Sequence, residues 1–273
     1  MVVEAMKIID VGSGPPIVIV PGIQGRWEWM KPAVDALAAG CRVITFSLAD
    51  EPTCGGRFDP ACGFDSYVDQ VGDAMDQAGV ARAAICGVSY GGLVAAAFTA
   101  RHPERVSSLL LVSAIPPAWA PDARVRFYLR APRLLSPLFL VGSLRMYREI
   151  AAASDGVLPG MSAAVRHGFT ALTHMFSPGR MARRVHMLGP VNLGRELHRV
   201  TAPILVLTGE DALDRVVPTG LTQEYLHLWP HARRAIIART GHLGMITRPV
   251  DFAALVMPFV AAAARAQERR RVV

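Results

Sequence analysis

Cys86-Gly87-Val88-Ser89-Tyr90-Gly91-Gly92 lies between two segments of different character. Before it runs Ala83-Ala84-Ile85-Cys86, a short apolar segment that reads as a buried strand. After it comes Leu93 to Arg101, alanine-rich, which reads as a buried helix. Strand, sharp turn and helix form the setting in which Gly-x-Ser-x-Gly makes a nucleophile elbow. The turn forces the serine into strained backbone angles, so its close neighbours must be small. Gly87, Gly91 and Gly92 meet that demand. A hydroxyl is thereby held out at the end of a sheet, beside a helix N-terminus whose free N–H groups favour anionic charge. The competing reading is a glycine-rich turn with an incidental serine.

Outward from the elbow, strands alternate with helices. Ile17–Val20, Arg42–Phe46, Val106–Val112, Ile204–Leu207 and Ala235–Ala238 predict strands, and Met1–Val11 predicts an initial one. Helices are expected over Met30–Ala39, from Asp65 to about Ala78 with Tyr67, Val71, Ala74 and Met75 along one side, and from Pro249 to about Gln267. The alternation implies an α/β fold with a doubly wound, mostly parallel sheet. Between about Pro116 and Leu197 the strand runs stop. Helical segments follow, punctuated by Pro121, Pro132, Pro137, Pro159, Pro178 and Pro190. So long a connection must be structured, which divides the chain into a core, 1–115 and 198–273, and an inserted helical cap, 116–197. Phe127, Tyr128, Leu134, Phe139, Met146, Phe169, Met175, Phe176, Met181 and Met187 are expected mostly to form the cap's own core, with some lining a pocket over Ser89.

At 273 residues and 52% hydrophobic, the chain can bury a substantial core. It contains no eighteen-residue uninterrupted apolar run, so no stable membrane insertion is expected. Met1–Asp10 carries Glu4 and Lys7 and lacks the pattern of a signal peptide, which makes a cytoplasmic location the expectation. The net charge of +7 is almost entirely arginine, since Lys7 and Lys31 are the only lysines. The clusters at Arg265–Arg271 and at Arg124, Arg126, Arg130 and Arg133 come with no nucleic-acid-binding motif and read as solvated faces, so no nucleic-acid partner is expected. Inward-pointing arginines in the second cluster would instead favour an anionic substrate. Cys41, Cys54, Cys62 and Cys86 show no metal-type spacing. Cys86 reads as a small buried apolar residue, and Cys54 and Cys62 as free thiols in a reducing cytosol, with a bridge between them as the alternative.

A serine hydroxyl is a poor nucleophile unless a base takes its proton. Thr240-Gly241-His242 follows an expected strand, which puts His242 on a loop at a strand's carboxyl end; no other histidine shares that position. After the strand ending in Thr208-Gly209, three carboxylates compete to orient the imidazole. Asp214, before Arg-Val-Val-Pro, is favoured; Asp211 is the alternative, and Glu210 reads as a loop-stabilising group. The oxyanion donors are expected to be the backbone N–H of Tyr90 and that of Ile23 or Gln24, in Pro21-Gly22-Ile23-Gln24-Gly25.

With these residues in view the chain resembles the α/β-hydrolase superfamily over essentially its whole length. The resemblance rests on Pro-Gly-Ile-Gln-Gly at 21–25, Gly-Val-Ser-Tyr-Gly at 87–91, the aspartates before Val-Val-Pro at 216–218, and Gly-His at 241–242. It implies a triad of Ser89, His242 and Asp214, with Ile23 and Tyr90 as oxyanion donors, and a cap after Val112. Two departures stand out. Pro21-Gly22 replaces the His-Gly common in relatives, and Gly209 to Asp214 is two residues longer than usual, which keeps Asp211 in contention. Ser89 in place of aspartate argues against the dehalogenases and epoxide hydrolases of this fold.

The expected activity is hydrolysis of a carboxylic ester of a small-to-medium hydrophobic small molecule, with no cofactor and no metal, by a monomer or homodimer. A base that must be neutral predicts activity falling below about pH 6. The alternatives are C–C bond hydrolysis, lactone opening, elimination or acyl transfer on the same groups, a non-catalytic ligand receptor, or a lipase-like protein on anionic lipid.

Overall fold

The computed structural model describes residues 5–56, 58–138, 146–154, 165, 168–170 and 173–272. Among these, seven strands form one sheet in the order β1-β3-β2-β4-β5-β6-β7. They are β1 (Ile8–Val11), β2 (Pro16–Val20), β3 (Arg42–Phe46), β4 (Ala83–Val88), β5 (Val106–Val112), β6 (Ile204–Thr208) and β7 (Arg233–Ile236). β1 runs antiparallel to β3, and every other pairing is parallel. The helices are α1 (Lys31–Leu37), α2 (Asp65–Gln77), α3 (Tyr90–Arg101), α4 (Ala123–Arg130), α5 (Tyr147–Ala153), α6 (Pro178–Met187), α7 (Gly194–Leu197), α8 (Thr219–Leu228), α9 (Gly244–Thr247) and α10 (Pro249–Val272).

Side chains alternate across a strand, so consecutive apolar residues serve opposite faces. Val18, Val20, Ile85, Leu109 and Leu111 join α2, α3 and Tyr225 of α8 in one core. Ile17, Ile19, Ala84, Cys86, Leu110 and Val112 join α1 and the Phe252, Val256 and Val260 stripe of α10 in the other. Both faces being covered explains why the central strands read as unbroken apolar runs. By length and composition α10 could cross a membrane. In the folded chain it lies along the sheet with Phe252, Val256 and Val260 buried.

Three expectations need correction. The first strand begins at Ile8; the earlier part of the expected Met1–Val11 run is not strand in residues 5–7, and residues 1–4 lie outside the described residues. The last strand is Arg233–Ile236, two residues earlier than Ala235–Ala238. It is an edge strand with exposed arginines, and an edge needs no continuous apolar run; only Ile237, just past its end, is fully buried. Third, several apolar residues of 116–197 do not form an interior. Leu134 is 80% exposed, Met175 67%, Phe169 65% and Phe127 42%, which places them on the surface. Phe139 and Pro159 lie outside the described residues. Arg124, Arg126, Arg130 and Arg133 are exposed, as a solvated face requires. All four cysteines are free, Cys62 exposed and the others buried.

Candidate active site

Because β2, β4, β5, β6 and β7 run parallel, their carboxyl ends share one edge, where open α/β sheets place their ligands. The loops after β2, β4, β6 and β7 carry Ile23, Ser89, Asp214 and His242 to that edge. Ser89 is the single residue between β4 and α3, at φ 51° and ψ −114°. That left-handed conformation is costly for a residue with a side chain and is maintained by its surroundings. Ser89 N–H donates to Val112 of β5 at 2.9 Å, and its carbonyl accepts from Gly92 at 3.0 Å. The glycines let the elbow close. A Cβ on Gly87 would stand 2.6 Å from Gly92 Cα and 2.7 Å from Ala95 Cβ. Burial pushes the Cys86 thiol up to about 12, which leaves it an inert core group beneath the serine.

Asp214 is turned inward by its own loop. Its Oδ1 accepts from the N–H groups of Val216 and Val217, both at 2.9 Å, and its Oδ2 faces His242 Nδ1 at 3.4 Å. Asp211 goes elsewhere, accepting from the Thr219 hydroxyl at 2.8 Å. The structure therefore brings Asp214, and not Asp211, to His242. Glu210 ties the two loops together: its N–H donates to Thr240 O at 2.7 Å, and its Oε1 accepts from Arg239 N–H at 2.7 Å. With Nδ1 facing a carboxylate, Nε2 is the nitrogen left to accept a proton. Among the described residues Ser89 Oγ makes no hydrogen bond to His242; without substrate such bonds are commonly long or unformed. Ser89, Asp214 and His242 are all buried.

The loop after β2 lies against the elbow, since a Cβ on Gly22 would stand 3.6 Å from Ser89 Cβ and 3.4 Å from Val88 O. Gly22 to Gly25 form a turn closed by Gly25 N–H to Gly22 O at 2.9 Å. Among the described residues the N–H groups of Ile23 and Tyr90 take no part in the hydrogen bonds of these turns and loops. No group of three or more His, Cys, Asp or Glu that could hold a metal occurs among the described residues.

Two buried charged residues near this edge carry no sequence signal. Glu149, on α5, accepts from Leu243 N–H at 2.6 Å, directly after His242. Burial pushes its carboxyl up to about 7; the N–H groups of Gly241 and Leu243 and the imidazole of His242 pull it down, and Asp214 adds to the rise. Arg184, on α6, is fully buried and donates to Ile23 O at 2.7 Å. Neither residue belongs to a motif, and a polar residue on a helix reads as solvent-facing until its partner is seen.

Residues 17–255 match the model of the alpha/beta hydrolase family. The chain is 28% identical over 276 residues to the poly(3-hydroxyalkanoate) depolymerase of Ectopseudomonas oleovorans, covering 94% of this chain and 87% of the relative. It is 25% identical over 267 residues to the pimeloyl-acyl-carrier-protein methyl ester esterase of Nitrosomonas europaea, covering 91% of this chain and 96% of the relative. Among solved structures, an esterase from Exiguobacterium antarcticum superposes with a TM-score of 0.77 at 18% identity, over 94% of this chain and 98% of that one, a likeness of fold.

Proposed function

The chain belongs to the alpha/beta hydrolase family, and from that premise we propose that it is a serine hydrolase cleaving a carboxylic ester of a small-to-medium hydrophobic molecule. One observation carries the reading: Ser89 stands at a positive-φ elbow on the edge where Asp214 faces His242 Nδ1. Ser89 Oγ attacks the ester carbonyl while His242 Nε2 takes its proton. Asp214 holds the imidazole and stabilises the imidazolium without taking the proton itself. The Ile23 and Tyr90 N–H groups bind the negative charge that develops on the carbonyl oxygen. His242 then protonates the departing alcohol, and water, activated by the same imidazole, attacks the acyl-serine and releases the acid. The described helices α4, α5 and α6 of the inserted segment read as parts of a cap, two of them bonded to loops at this edge through Arg184 and Glu149. The name of the Nitrosomonas europaea relative, a methyl ester esterase, supports ester chemistry.

The test is turnover of p-nitrophenyl esters from acetate to palmitate by the wild type and by Ser89→Ala, with fluorophosphonate labelling in parallel. Turnover that Ser89→Ala abolishes is expected, and the chain-length profile sizes the pocket. A wild type that shows no turnover and takes no label overturns the reading. Labelling without turnover moves the assignment to lactone opening, C–C hydrolysis or acyl transfer.

A further inference from the structure

Among the described residues Arg184 is the largest side chain that is fully buried, and it comes from the inserted segment. Its Nη1 donates to the carbonyl of Ile23 at 2.7 Å, 161 residues away in the chain. Its Nε and Nη2 donate to Asp50 Oδ1, Nε at 3.1 Å, and Nη2 also to Glu51 Oε1 at 2.6 Å. Asp50 and Glu51 follow β3 on the same sheet edge, and each offers the arginine one oxygen while its other oxygen, buried, has no partner among the described residues. Gly25 is shaped around the guanidinium: it sits at φ +77°, and a Cβ there would land on the arginine.

The hydrogen bonds of the turn show what this contact does. The Gly22 carbonyl is taken by Gly25 N–H, the Gly25 carbonyl by Leu48 N–H at 2.7 Å, and the Ile23 carbonyl by Arg184. Among the described residues, the N–H groups of Ile23 and Gln24 take no part in these bonds. The Ile23–Gln24 peptide is the central one of the turn, the unit that flips when a turn changes type. In a trans peptide the C=O and N–H point opposite ways, so a donor clamped on the Ile23 carbonyl fixes directly where the Gln24 N–H points, and it holds the Ile23 N–H, one peptide earlier, through the turn that both share.

We infer that Arg184 is a positioning residue for the oxyanion site, locking the Gly22–Gly25 turn so that its free N–H groups stay aimed at the Ser89 edge. The inference rests on the serine-hydrolase reading above. It gives one side chain of the inserted segment, Arg184, a part in positioning the loop after β2. A guanidinium reaches three acceptors in one plane, which a lysine ammonium at the same site does not.

The experiment compares Arg184→Lys and Gly25→Ala with the wild type on p-nitrophenyl butyrate, each corrected for the fraction of Ser89 that a fluorophosphonate labels. Lysine retains the charge that Asp50 and Glu51 need, and Gly25→Ala displaces the guanidinium without altering any charge. Both should lower kcat by about 10- to 100-fold, less than the roughly 10²- to 10³-fold lost when a donor is removed outright, and move KM by less than about threefold. Arg180→Gln is the structural control. Arg180 lies on the same helix as Arg184 and pairs at 3.0 Å with Glu51, which follows β3; its removal breaks that pair without touching Ile23, and kcat should hold. Folded Arg184→Lys and Gly25→Ala proteins that both keep kcat within threefold overturn the inference, as does an equal loss in Arg180→Gln. Should the wild type neither turn over nor label, the hydrolase reading fails by itself, and amide exchange still decides the brace. Gly25 and Leu48 N–H should exchange at least tenfold faster in Arg184→Lys; unchanged exchange overturns it.

Discussion

At the residue scale, the contest between two aspartates in one loop is decided by where each carboxylate finds donors. Asp214 sits two and three residues before the amides it accepts from, a local turn that points its second oxygen at the imidazole. Asp211 instead meets the hydroxyl of Thr219 at the start of α8. Asn at 214 keeps the size and an acceptor but loses the charge that faces His242 Nδ1, which in the proposed mechanism holds the imidazole in its working tautomer. Asp214→Asn should therefore lower kcat by about 10²- to 10⁴-fold, whereas Asp211→Asn should stay within threefold of the wild type. Steady-state kinetics of both variants on one p-nitrophenyl ester check this, and equal losses would contradict the division of roles between the two aspartates. In the sequence both aspartates precede Val-Val-Pro, and spacing alone leaves the choice open. The deciding fact is the direction each side chain takes, which depends on neighbours that fold in from Thr219 and His242.

At the scale of elements, legibility follows burial. β2, β4, β5 and β6 are covered on both faces, and their apolar runs mark them within a residue or two. β7 lies at the sheet edge, and its residues Arg233 and Arg234 pair with β6 while remaining exposed, Arg233 with its guanidinium over the Phe259 ring, so an apolar run places its start two residues late. The elbow is legible because its chemistry is also its sterics: a strained serine demands small neighbours, and those are visible as glycines. That demand can be measured. A methyl group on Gly87 would press on Gly92 Cα at 2.6 Å and Ala95 Cβ at 2.7 Å, where backbone and a packed helix cannot give way. Gly87→Ala should cost at least about 1–3 kcal/mol, by overpacking, in urea unfolding. An unchanged midpoint would mean that α3 stands farther from β4 than these distances require.

At the scale of the whole molecule, the inserted segment is fastened to the core by buried charge as well as by apolar contact. Arg184 grips the loop after β2, and Glu149 grips the loop that carries His242. Such fastenings are hard to read from sequence, because Arg184 and Glu149 look like the solvated arginines and glutamates around them until the core supplies their partners. Glu149 makes the fastening sensitive to pH. Burial raises its carboxyl from 4.5 to about 7, so between those values the folded protein holds a proton that the unfolded chain has released. Stability contributed at this site is thus greatest at or below pH 4.5, falls as pH rises through the window, and levels off above about pH 7. A shift of about 2.5 pH units corresponds to at most about 3 kcal/mol. Glu149→Gln keeps an oxygen for Leu243 N–H and removes the titration. Between pH 5 and pH 8 the stability difference between the two proteins in urea should therefore move toward the glutamine variant, by up to about 3 kcal/mol. A difference that does not change with pH would contradict a carboxyl buried against the His242 loop, because an exposed glutamate at this site has no reason to hold its proton above pH 5.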